Sequence, residues 1–120
     1  MEVLVIEIVH APYGRVNSYA GLFIASSWVS AGHRVIVALH NDGVYAAKKG
    51  QTDPMKEVNM PSVEELVRDV LKGGGRVLAD RMCLEVRGMD EDMLIEGVEI
   101  SDGEDLVELV RKEGEGVLTF

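Results

Sequence analysis

Two short segments are apolar at both odd and even positions, and they constrain the fold more than any other feature. They are Val3-Leu4-Val5-Ile6-Glu7-Ile8-Val9 and Arg34-Val35-Ile36-Val37-Ala38-Leu39. A strand exposed on one face alternates apolar with polar side chains, whereas a continuous β-branched run must be covered on both faces. Helices therefore have to lie above and below the sheet. The intervening stretch supplies one, with Val16, Tyr19, Ala20, Phe23, Ile24 and Ala31 at helical spacing. Asn17 or Ser18 is the expected N-cap and Gly32 the expected stop.

The rest of the chain repeats this alternation. Asn41-Asp42-Gly43 predicts a turn capping a short helix over Val44-Tyr45-Ala46-Ala47, and Gly50 to Pro61 reads as an exposed loop. Ser62 and Glu65 form a capping box ahead of Leu66, Val67, Val70 and Leu71. Gly73-Gly74-Gly75 ends that helix, and Arg76-Val77-Leu78-Ala79 is a third strand. A brief helix from Asp90 through Ile95, a weak strand at Val98-Glu99-Ile100 and a second capping box at Ser101 and Glu104 follow. Val117-Leu118-Thr119-Phe120 closes the pattern as a terminal strand. Strands alternating with helices imply an α/β fold, a mainly parallel sheet between two helical layers. With no repeat or linker, residues 1–120 are expected to form one domain.

Charge and cysteine content narrow the function classes. Acidic residues number 21 against 12 basic ones, a formal charge of −9 that disfavours nucleic-acid backbones and anionic membranes. No apolar run reaches the length of a membrane span, and Met1-Glu2-Val3-Leu4 lacks the basic start of a signal peptide. A single cysteine rules out an internal disulfide and predicts a reducing, cytoplasmic setting.

In parallel α/β sheets, ligands gather beyond the carboxyl ends of the strands. Segments leaving the first three strands bring His10, Tyr13, Asn17, His40, Asn41, Asp42, Arg81 and Cys83 to that edge, while His33 should face the opposite one. Cys83 is the sharpest candidate there. Thiolates are stabilised by cations or a helix N-terminus, and Arg81 and Arg87 flank it, opposed by Asp80 and Glu85. The competing reading is an inert, buried cysteine filling a small apolar gap. Thioredoxin-type exchange within the chain needs a second thiol that is missing, whereas a persulfide carrier needs only one. His10, His40 and Cys83 could supply three zinc ligands, but no tight ligand spacing supports a metal site. No Gly-x-Ser-x-Gly elbow or phosphate loop is present, and no organic cofactor is implied.

Three segments together resemble the DsrE/DsrF-like family of sulfur-relay proteins. They are Ala11-Pro12-Tyr13-Gly14 with Asn17 and Tyr19, then Gly32-His33 to Asn41-Asp42-Gly43-Val44-Tyr45, then Cys83-Leu84-Glu85-Val86-Arg87-Gly88. Ile95-Glu96-Gly97-Val98-Glu99 and Val117-Leu118-Thr119-Phe120 extend the likeness over nearly the whole chain. The resemblance implies a three-layer α/β/α fold with a five-stranded sheet and homo- or hetero-oligomers, often trimers or hexamers. It implies that Cys83 carries persulfide sulfur between donor and acceptor proteins. Some relatives carry a further cysteine just upstream, where this chain has Asp80, Arg81 and Met82.

The expected function is thus an intracellular sulfur carrier or sulfurtransferase centred on Cys83. Arg81 and Arg87 would favour its anion, and His10, Tyr13, Asn17, His40, Asn41 and Asp42 would shape the pocket. Two alternatives remain: a non-catalytic subunit of a relay oligomer, and a small-molecule or metal-binding protein using the same edge.

Overall fold

A computed structural model describes residues 3–51 and 59–120. Five strands form one sheet: β1 (Val3–Ile8), β2 (Arg34–Leu39), β3 (Arg76–Asp80), β4 (Glu99–Ser101) and β5 (Gly116–Thr119). The order is β4-β3-β2-β1-β5, and every neighbouring pair is parallel. Helices α1 (Asn17–Ser30) and α2 (Val63–Lys72) cover one face, and α4 (Gly103–Glu113) covers the other. The short α3 (Arg81–Val86) follows β3 directly, and 3₁₀ helices occupy Asn41–Ala47 and Glu91–Met93.

The sheet buries both faces, as the unbroken apolar runs require. Ile6, Ile8, Val37, Leu39 and Val77 pack against Leu22 and Ala25 of α1 and Leu66, Val67 and Val70 of α2. Val3, Val5, Ile36, Ala38 and Leu78 form a smaller cluster beneath Leu106 of α4. Successive residues of a strand point to opposite faces, so β1, β2 and β3 each feed both clusters. The outer edge is less protected: β5 is exposed throughout, with Val117 and Leu118 retaining 48% and 44% of their accessible surface.

Helix ends divide into those following simple capping rules and those the tertiary fold overrides. The Ser62 hydroxyl accepts the Glu65 N–H at 3.1 Å, as its capping pattern predicts. Gly32 follows α1 with φ +90°, a conformation suited to a glycine stop. Asn17 and Ser18, however, do not cap α1. Val16 occupies the cap position without a side-chain bond, and Ser18 is fully buried with its Oγ unpartnered.

The second expected box also shifts. Ser101 pairs with Asp80 as the last residue of β4, so Asp102 takes the cap position of α4, without a side-chain cap bond. The brief helix after Asp90 ends at Met93, because Leu94 is extended and bridges to Lys48. Most of the expected Gly50–Pro61 loop, residues 52–58, lies outside the described residues.

Candidate functional site

The site is built where β2 and β3 end. Gly43 lies so close to β1 that a Cβ there would collide with the Ile8 carbonyl, which seats the Asn41–Ala47 helix against the strand end. The same turn places Asn41 at φ +52°, a left-handed conformation that asparagine tolerates better than most residues. Its backbone N–H thereby donates to Cys83 Sγ at 3.2 Å.

Cys83 itself is held by the turn from β3 into α3. Asp80 ends the strand and caps the helix, with Oδ1 accepting the N–H groups of Met82 at 3.0 Å and Cys83 at 3.3 Å. Its Oδ2 lies 3.4 Å from His40 Nδ1 at the end of β2. Cys83 is half-buried and packs partly against the larger core cluster, while Leu84 anchors α3 in it. The sulfur therefore rests on a fixed wall, with a backbone donor on one side.

The two flanking arginines have different roles. Arg87 Nη1 donates to the Cys83 carbonyl at 3.0 Å, and its Nε and Nη2 reach Asp42 Oδ1 at 3.0 and 2.9 Å. This guanidinium straps α3 to the Asn41–Ala47 helix. Arg81 Nε instead donates to Asp102 Oδ1 at 2.9 Å, so its charge is committed to the start of α4.

The first loop shares the edge by position. His10 follows β1 and is half-buried, Tyr13 is exposed, and Asn17 opens α1. Cys83 accepts from the Asn41 N–H at Sγ and from Arg87 at its carbonyl, and donates its N–H to Asp80. His33 lies at the opposite edge against Trp28, with ring centroids 4.6 Å apart. Among the described residues, no three His, Cys, Asp or Glu side chains converge in a way that could hold a metal ion. No helix among them is long and apolar enough to cross a membrane.

Two residues that matter to the geometry carry more than sequence reading assigned them. Asp80 figured only as a charge opposing the thiolate, yet it organises the turn that presents Cys83. An aspartate at a strand end, just before a short helical segment, is a recognisable cap signal. Gly43 figured only as a turn residue, and its close approach to Ile8 is a long-range contact without a local signature.

Comparison with known proteins places the chain in a family. The ychN protein from E. coli matches over the whole of both chains, with a TM-score of 0.87 and 24% identity. A protein of unknown function from Methanobacterium thermoautotrophicum also matches over both chains, with a TM-score of 0.72 and 21% identity. At these identities the likeness is one of fold. By sequence, an uncharacterized protein of Methanopyrus kandleri is 35% identical over 120 residues, covering 100% of this chain and 95% of its own. An uncharacterized protein of Methanocaldococcus jannaschii is 34% identical, covering 94% of this chain and 95% of its own. The model of the DsrE/DsrF-like family matches residues 2–120, and the chain belongs to that family.

Proposed function

We propose that this protein is a sulfur carrier in which Cys83 accepts sulfane sulfur from a donor and passes it to an acceptor thiol. The observation that carries the reading is the 3.2 Å donation from the Asn41 N–H to Cys83 Sγ, at a half-buried cysteine on the strand-end edge. A preformed donor aimed at sulfur suits a group that bears charge while it forms and breaks S–S bonds.

The proposed chemistry is two exchanges. The Cys83 thiolate attacks the outer sulfur of a donor persulfide, an S–S bond forms to Cys83, and the donor leaves as a thiolate. An acceptor thiolate then attacks the outer sulfur of the Cys83 persulfide, and the Cys83 thiolate is released. Each S–S bond broken is replaced by another, so no external oxidant or reductant is needed. Asn41 orients the sulfur, Arg87 with Asp42 holds the two short helices together, and Asp80 with His40 fixes the entry to α3. His10, Tyr13 and Asn17 would line the approach from the first-loop side of the same edge, and Arg81 is paired with Asp102.

The family is generally associated with sulfur-relay complexes, which supports donor and acceptor proteins as partners and a cytoplasmic setting. The exposed apolar pair Val117 and Leu118 on edge strand β5 supports assembly into an oligomer. Intact-mass analysis after exposure to an inorganic polysulfide tests the carrier step. A reducible gain of about one sulfur atom is expected in wild type and not in Cys83→Ser. No gain in folded wild-type protein with accessible Cys83 would replace this reading with that of a non-catalytic relay subunit.

A further inference from the structure

Beside Cys83, the surface of α3 carries features that the sulfur chemistry does not use. Met82 and Val86 are each 73% exposed on a helix of six residues. They stand four positions apart, so they share a face, and Cys83 adjoins them along the helix. Exposed apolar side chains occurring singly need no explanation, but this pair is contiguous and borders Cys83. Met82 also lines an open hollow of about 490 Å³ between α3 and the start of α4.

The hollow is strongly acidic. Asp80, Glu85, Asp102 and Glu104 face a single base, Arg81, in its lining. Arg81 is paired with Asp102, and Asp80 is occupied with the α3 cap and His40. Glu85 and Glu104 have no ion-pair partner among the described residues, and both are exposed. The first turn of α4 accounts for Glu104, where a carboxylate suits the helix dipole, but Glu85 has no such place in α3, and both line the hollow with the exposed Met82. Their combined field attracts cations and repels anions approaching Cys83 from this side.

We infer that the Met82–Val86 ridge and the adjoining acidic hollow dock a partner protein whose reactive cysteine is flanked by lysine or arginine and by an apolar side chain. The inference rests on the carrier reading and specifies the partner's chemistry. The apolar residue seats against Met82 and Val86 while the cation enters the hollow near Glu85 and Glu104. This brings the partner thiol to Cys83 without changing the exchange chemistry.

The full chain, loaded with one sulfane sulfur, tests this with three leucine-bearing thiol peptides of equal length and a fourth, cationic one without leucine. One cysteine is flanked by lysine and leucine, the second by glutamine and leucine, the third by glutamate and leucine. At low ionic strength the cationic peptide is expected to take sulfur about tenfold faster than the anionic one, the margin shrinking in about 0.5 M salt. Glu85→Gln combined with Glu104→Gln should cut that preference several-fold. Asp69→Asn with Glu115→Gln, an equal charge loss on α2 and beside the start of β1 away from the hollow, should leave it intact. Met82→Ser with Val86→Ser should slow the leucine peptides but not a cationic peptide lacking leucine. Equal rates for cationic and anionic peptides, or a preference tracking the distant pair instead, would overturn the docking surface. If Cys83 takes up no sulfur, the carrier reading fails separately. Fluorescence anisotropy with unloaded protein and serine-substituted peptides then decides docking alone: selective binding lost on changing Glu85 and Glu104 supports it, and unselective binding overturns it.

Discussion

Asn41 reaches Cys83 through its backbone and not its side chain: its N–H lies 3.2 Å from Sγ because the residue sits at φ +52°. The geometry thus depends on a backbone conformation, and substitutions should be ranked by their tolerance of it. Asn41→Gly should preserve the alkylation rate of Cys83. Asn41→Val should destabilise the fold by about 1–2 kcal/mol and alter that rate, since a β-branched residue resists the left-handed region. Chemical denaturation and timed iodoacetamide labelling check both outcomes.

The Arg87 strap should behave as a forked link and not as a point charge. Arg87→Ala is expected to cost about 1 kcal/mol by removing bonds to Asp42 and the Cys83 carbonyl. Arg87→Lys should recover little of it, because an ammonium cannot reach both partners in the same plane. Hydrogen exchange over residues 81–88 should quicken in both variants.

Asp80 should reveal itself as a cap. Asp80→Ala is expected to destabilise by about 1 kcal/mol, whereas Asp80→Asn retains an oxygen for the Met82 and Cys83 N–H groups and should cost less. Equal losses in urea denaturation would show that its charge toward His40 matters more than the cap.

Gly43 and Gly32 offer a matched contrast. Gly32→Ala meets open space and only the penalty of a positive φ, about 1 kcal/mol. Gly43→Ala drives a methyl into the Ile8 carbonyl and should cost more than about 2 kcal/mol, with loss of native Cys83 reactivity. Thermal denaturation of the two variants side by side distinguishes steric collision from conformational preference.

Acid should weaken the join between α2 and its neighbours. The Gly50 N–H, donating at 2.7 Å, and the Arg68 guanidinium hold the Glu64 carboxyl below its ordinary value of 4.5. A carboxyl depressed in the folded state stabilises fully above its unfolded value and loses that contribution as pH falls through the folded one. Wild type should therefore lose more stability than Glu64→Gln as pH falls below 4.5, while Glu64→Gln should already be weaker by about 1 kcal/mol at pH 7. Parallel pH losses in denaturant titrations would contradict this.

How far the sequence foretold this arrangement depended on the range of the forces involved. β1 and β2 were legible because residues of both parities are apolar, and the Ser62 cap because its partner Glu65 is three residues away. Ser18 misled because tertiary packing turns it into the core, and Ser101 because pairing with Asp80 draws it into β4. The meeting of Cys83 with the strand-two loop followed from topology, since parallel neighbours end at one edge. The different partners of Arg81 and Arg87 follow from helical phase: Arg87 lies four residues beyond Cys83 and shares its face, whereas Arg81 lies two before it and does not. Their proximity in sequence concealed that divergence.

The sheet order also bears on how the molecule is made. β1 is flanked by β2 on one side and by β5 on the other, and β5 is synthesised after the other four described strands. Through most of translation β1 therefore presents an open hydrogen-bonding edge and the apolar side chains of two clusters. Helix α4 must span from β4 at one margin to β5 at the other before that edge closes. Such late, non-local closure is slow, and it leaves the nascent chain vulnerable to strand capture by another copy. Exposure to strand capture during synthesis is accordingly a property of the topology, independent of how stable the finished protein is.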